Sequence, residues 1–171
     1  MNQILTLRLT GDSLLRQHAA TIADPSGQEL KALVDAMLVT MRAFNGVGIA
    51  APQIGHSLRV VIVASQPNSR YPDAPIMEPL VMVNPAIITK SPEIRPDWEG
   101  CLSVPGQRLQ VLRHLTVEAC WDDLDAHRHQ QFFSGFVARI IQHELDHLDG
   151  ILFTDRAAQT VGDTCSPPFR Q

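Results

Sequence analysis

No apolar run in this chain of 171 residues approaches the roughly 20 needed to cross a membrane, so a transmembrane protein is not expected. Runs of Lys or Arg are also missing, and the net charge is −4 with histidine neutral, which removes the electrostatic footprint of a nucleic-acid binder. The opening MNQILTLRLTGD has no basic segment followed by an apolar one, so a secretory leader is not expected. Cysteine is scarce. Cys101, Cys120 and Cys165 are odd in number and widely spaced, with no CxxC, which fits a reducing cytoplasm better than a disulfide framework. There is no internal repeat and no low-complexity block.

What is there suits one ordinary domain. Hydrophobic residues make up 44%, enough for a real core. Ser26-Gly-Gln-Glu29 reads as a capping box. After it, Leu30, Leu33, Val34, Met37, Leu38, Met41 and Phe44 recur at helical spacing, and Asn45-Gly46 stops the helix. LRVVIVA at 58–64 reads as a buried strand. LVMVNPAII at 80–88 reads as another, interrupted by Pro85, and QPNSRYPDAPIMEP between them as a loop. LTVEACW at 115–121, a turn and a short QFF return strand follow. A second, largely enclosed helix then carries Phe136, Val137, Ile140, Ile141, Leu145 and Leu148, with Ser134 near its start. The order helix, strands, helix predicts an α+β fold with mainly antiparallel sheets packed around a central helix. A single catalytic domain is expected over residues 1–156, with a loosely held tail over 157–171.

The second helix contains Gln142-His143-Glu144-Leu-Asp-His147. Residues i and i+4 share a helix face, so both imidazoles can reach one divalent ion, with Glu144 placed to reach a water on it. The plainer reading is a helix that happens to carry two histidines. A catalytic site needs a third protein ligand. Downstream, the position that histidine fills in one protease class holds Phe153, and no histidine follows His147 and no glutamate follows Glu144. Asp155 is a poor substitute, so upstream residues are the better candidates. Glu99-Gly-Cys-Leu-Ser103 offers Cys101, either as a metal-bound thiolate or as an inert buried thiol. Gly46-Val47-Gly48-Ile-Ala-Ala-Pro-Gln53 formally contains G-x-G-x-x-A. It follows a helix rather than a strand, however, which argues against a dinucleotide site. Its small residues would let a substrate backbone lie close, with Gln53 as an amide donor or merely a surface side chain.

Gly46-x-Gly48-x-Ala50-Ala51-x-Gln53, Glu99-Gly100-Cys101-Leu102-Ser103 and Gln142-His143-Glu144-x-x-His147 together resemble the three motifs of the peptide deformylase family. The early GDSLLRQHA resembles its N-terminal segment, with Ser13 where proline is usual. The resemblance implies hydrolysis of the N-formyl group from the starting methionine of new polypeptides, releasing formate. It implies one divalent ion held by Cys101, His143 and His147: Fe²⁺ in the cell, with Zn²⁺ or Ni²⁺ as substitutes. Glu144 would act as general base and then acid. Gln53 and the backbone N–H of Leu102 would meet the oxyanion. Gly46, Val47, Gly48 and Gly100 would border the substrate, and Phe136, Val137 and Ile140 would line a slot for the methionine side chain. Glu99 would pair with Arg108. The implied partners are N-formylmethionyl peptides and the ribosome near the nascent-chain exit, though the tail lacks the long basic helix associated with docking in some members. The usual Asp-x-x-Gly turn between the late strands is replaced by Asp-Leu-Asp-Ala-His-Arg-His. His56, His114, His127 and His129 read as surface residues.

Overall fold

The computed structural model describes residues 3–158. Helix α1 spans Gln28–Ala43. It begins on Gly27 rather than Ser26, and no side chain caps it. The capping box does not form because Asp24 captures Ser26 instead, accepting from its N at 3.0 Å and its Oγ at 2.6 Å. At the other end Asn45 takes φ +53, the left-handed conformation in which asparagine is tolerated, and the chain turns out of the helix.

Seven strands follow the expected α+β plan. They are β1 (Gly48–Ala50), β2 (Val60–Val63), β3 (Leu80–Lys90), β4 (Ile94–Cys101), β5 (Val104–His114), β6 (Thr116–Asp122) and β7 (Arg128–Ser134). Five form one sheet in the order β1-β2-β3-β6-β7, and β4-β5 form a separate ribbon. Every strand pairing is antiparallel. The long β4-β5 ribbon covers residues in which no strand was read. Strand β3 passes through Pro85 because the ladder shifts register between Val83 and Ala86, with Asn84 at φ +50. A bulge is one of the few places where a strand accepts proline.

Helix α2 spans Gly135–Leu148, and α3 spans Phe153–Ala158. The boundary expected at residue 156 falls inside α3, and residues 159–171 lie outside the described part. Strand period decides which helix meets which face of the sheet. Val61 and Val63 of β2 join the core beneath α2, whereas Val60 and Ile62 join the core beneath α1. A third cluster, with Leu15, Val111, Leu152 and Phe153, ties the ribbon to α3. Helix α2 thus runs between sheet and ribbon, and every residue from Ala138 to Leu148 is buried. That enclosure forces its polar residues to find partners inside the protein.

The β6-β7 turn holds Ala126 at φ +62, with Asp123 accepting from Asp125 and His127 through its side chain. An L-residue is strained in this conformation, and glycine is not. Ala126→Gly is therefore expected to raise stability by about 0.5–1 kcal/mol, net of glycine's greater unfolded-state entropy. Calorimetry should show a Tm higher by a few degrees.

Candidate active site and metal centre

The three sequence segments converge. Cys101 ends β4 on the ribbon, while His143 and His147 lie one turn apart on α2. Their ligand atoms all fall within 4.8 Å of one another. Cys101 Sγ lies 3.1 Å from His147 Nε2. Burial pushes the Cys101 thiol up, but His147 and His143 outweigh that and hold it well below the usual thiol range. One cysteine sulfur and two imidazoles, all buried, could together hold a divalent metal ion.

Glu99 fixes this centre from behind. Its carboxylate accepts from His143 Nδ1 at 2.9 Å, which leaves Nε2 free to face an ion. It also accepts from Arg113 at 2.9 and 3.0 Å and from Arg139 at 2.9 Å. The expected Glu99–Arg108 pair does not form. In the ribbon register Glu99 faces Leu109, so residues 109, 111 and 113 share its side and Arg108 points away. Arg108 lies instead over the Tyr71 ring, 5.3 Å from its centroid. Arg113 continues to Asp146 at 2.5 Å, and Arg156 grips the same carboxylate at 2.7 and 3.1 Å. Asp155, the alternative third ligand, lies elsewhere, pairing with Arg16 and accepting from Leu152 N.

Gln53 sits in a single 3-10 turn, Ala51–Ile54. Its Oε1 accepts from Ala50 N at 2.8 Å, which aims its amide nitrogen at Cys101 Sγ, 3.5 Å away, and Ser103 Oγ, 3.2 Å away. Glu144 is buried, and its Oε2 has no hydrogen-bond partner among the described residues. Burial pushes this carboxyl up to about 7, against the pull of His143 and His147. A carboxylate left this way beside three metal-type donors fits a centre that carries an ion and its water.

Close relatives share this architecture. A family model described as polypeptide deformylase matches residues 4–162. The chain belongs to the polypeptide deformylase family. This deformylase is 44% identical over 169 residues to peptide deformylase 2 of a Nostoc species, spanning 99% of this chain and 94% of that one. The Met-Ala-Ser-bound crystal structure of class I type b peptide deformylase from Acinetobacter baumannii matches with a TM-score of 0.89 at 48% identity, covering 91% of this chain and 99% of that one. Peptide deformylase from Thermotoga maritima matches at 0.81 and 30% identity, over 90% and 97% of the two chains. The enzyme is a metal-dependent hydrolase that removes N-formyl groups from nascent polypeptides.

The cleft of this deformylase is lined by Gly46, Val47, Gly48, Gln53, Gly100, Leu102, Phe136, Ile140 and Glu144, together with Cys101 and His143. Val137, expected as a wall, is not among them. It lies about 100° further round the helix than Phe136 and, like Phe136, packs partly buried against the core cluster that α2 shares with the sheet. Arg70, Tyr71 and Arg139 line the cleft without having been read from the sequence. The first two lie in a stretch whose Pro and polar content signals only a loop. Arg139 sits on a helix face that apolar spacing does not mark. Among the histidines read as surface residues, His56, His127 and His129 are exposed. His114 is half-buried, with its Nδ1 2.6 Å from Ser91 O. Cys120 is free, and no described helix is long and apolar enough to cross a membrane.

Gly48 is a cradle for the carboxylate. A Cβ built there would stand 2.4 Å from Glu144 Oε1 and 2.7 Å from Ile140 Cγ2. Gly48→Ala should therefore push Glu144 off its position. A displacement near 1 Å costs up to about a hundredfold in turnover. Steady-state kinetics should place the loss in kcat, with metal content unchanged.

Proposed function

We propose that Cys101, His143 and His147 hold one divalent ion, Fe²⁺ in the cell and Zn²⁺ or Ni²⁺ as substitutes, and that Glu144 moves the proton in deformylation. The reading is carried by one observation: a buried Cys-His-His set within 4.8 Å, of which Cys101 and His143 line the cleft that Glu144 and Gln53 also line. When bound, the ion supplies a Lewis acid that polarises the formyl carbonyl and acidifies a water. Glu144 would take a proton from the attacking water and return it to the departing amine as formate is released. Gln53 Nε2 and the backbone N–H of Leu102 donate to the oxygen that gains charge. Gly46, Val47, Gly48 and Gly100 lie along the substrate backbone, and Phe136 and Ile140 receive the methionine side chain. Glu99 holds His143 in the ligating tautomer.

The substrates are N-formylmethionyl peptides, met in the cytoplasm where nascent chains leave the ribosome. The relative from Acinetobacter baumannii is described with Met-Ala-Ser bound, the product that formyl-Met-Ala-Ser would leave. The catalytic unit is the single domain around α2. Whether residues 157–171 contribute to ribosome docking is tested by co-sedimentation of full-length and shortened chains with ribosomes.

The test is formate release from formyl-Met-Ala-Ser by protein loaded with Fe²⁺ without oxygen. Stripping the metal with a chelator is expected to abolish release, and Zn²⁺ or Ni²⁺ to restore part of it. One bound ion per chain without formate release would overturn the reading.

A further inference from the structure

The loop 66–79 links the approach to the Gly46–Gln53 segment, the Glu99–Ser103 segment and the start of α2, and it does so through Asn68, Arg70 and Tyr71. Arg70 donates to the Asn45 carbonyl at 2.7 Å, as does Asn68 at 3.3 Å, holding the entrance to the Gly46–Gly48 segment. Asn68 Oδ1 accepts from the backbone of both Arg70 and Tyr71 at 2.9 Å, which shapes the loop itself. The Tyr71 hydroxyl accepts from Gly100 N at 3.2 Å, one residue before Cys101. The Tyr71 ring packs on Phe136, with centroids 4.9 Å apart, and carries the Arg108 guanidinium near its face. Arg70 and Tyr71 both line the cleft.

We propose that Tyr71 is a positioning and specificity-determining residue: its hydroxyl fixes the Gly100 peptide, and its ring backs the wall that meets the first side chain of the substrate. The inference rests on reading the cleft as the formyl-peptide site. Gly100 has no side chain to lock its own backbone, and the next two residues bring the thiolate and the Leu102 N–H. A hydrogen bond to Gly100 N therefore sets where both arrive. The ring is the part of the loop that reaches the apolar wall, so its removal should widen the cleft beside Phe136.

Two variants separate the two roles. Tyr71→Phe keeps the ring and loses the acceptor. It is expected to lower kcat about three- to tenfold, the worth of one net hydrogen bond, with KM little changed. Amide exchange at Gly100 should accelerate by a similar factor, a readout independent of turnover. Tyr71→Ala loses the ring as well. It is expected to weaken binding of Met-Ala-Ser, measured by calorimetry, and to shift the kcat/KM ratio of formyl-Met over formyl-Phe peptides toward the larger side chain. Unchanged Gly100 exchange in Tyr71→Phe overturns the positioning role. An unchanged Met-to-Phe ratio in Tyr71→Ala, with only a lower Tm, overturns the specificity role. If the parent enzyme releases no formate, the deformylase site reading fails first, and Gly100 exchange and Met-Ala-Ser binding still decide the fate of this one.

Discussion

Glu144→Gln is expected to slow formate release by about 10²- to 10⁴-fold, the usual worth of a positioned general base. Glutamine keeps the shape of the side chain and its place beside Gly48, so little else should move. What it loses is the ability to accept a proton. The carboxylate is well suited to that task, because burial lifts it to about 7, near the pH at which it must both accept and return a proton. A structural contribution from Glu144 is small, since Oε2 makes no hydrogen bond among the described residues. The variant should retain one ion per chain and its far-ultraviolet dichroism. Turnover within tenfold of the parent would mean that another group moves the proton.

Glu99→Gln should act on stability and metal retention together. The carboxylate takes four hydrogen bonds from three side chains: Arg113, Arg139 and His143. Removing its charge leaves two buried guanidinium groups around a neutral amide. Breaking a buried pair in this way costs about 3–5 kcal/mol. His143 also loses the acceptor that fixes its tautomer, and such losses weaken metal affinity by roughly 10- to 100-fold. Denaturant unfolding and a competition assay with a metal chelator measure the two effects separately.

The same group fixes the acid limit of the fold. Burial pushes the Glu99 carboxyl up, but hydrogen bonds from His143 and Arg113 outweigh it and hold the group well below the usual range. Asp146 is likewise held low: burial opposes this, but Arg156 and Arg113 prevail. Depressed carboxylates contribute stability that is fully present above their unfolded values near 4, and that is lost as pH falls toward the folded values. Stability should therefore drop below about pH 4. The decline should be shallower in Glu99→Gln, which has one fewer carboxylate to protonate.

Much of this site was legible because its chemistry sits in short local patterns. His143, Glu144 and His147 share one helix turn, and a helix of known period places them without any tertiary information. Strands β2, β3 and β6 were legible for a similar reason: β2 is a run of buried β-branched residues, β3 is a mostly apolar stretch, and β6 alternates. The ribbon β4-β5 was not. In β4 only Glu99 and Cys101 are buried, so no alternation of apolar residues betrays a strand. Its register, which makes Arg113 rather than Arg108 the partner of Glu99, is set by which backbone pairs across the ribbon, with Glu99 opposite Leu109, and no local pattern in the sequence records that pairing. Arg139 and Tyr71 were missed because their roles depend on which segments meet, and nothing adjacent in sequence records that.

The order in which the chain is made gives the enclosure of α2 a further meaning. The sheet edge β1-β2-β3 is complete by residue 90, yet one face of it stays bare until residues 135–148 are available. During synthesis Val61, Val63 and Met82 must wait for the last quarter of the chain, with Cys101 equally without its histidines. A ribosome that stalls between residues 101 and 135 would hold a nascent chain with an open apolar surface and a lone thiol, the kind of intermediate that chaperones bind. An enzyme that works on emerging chains thus depends, while it emerges, on its own last quarter to close its core.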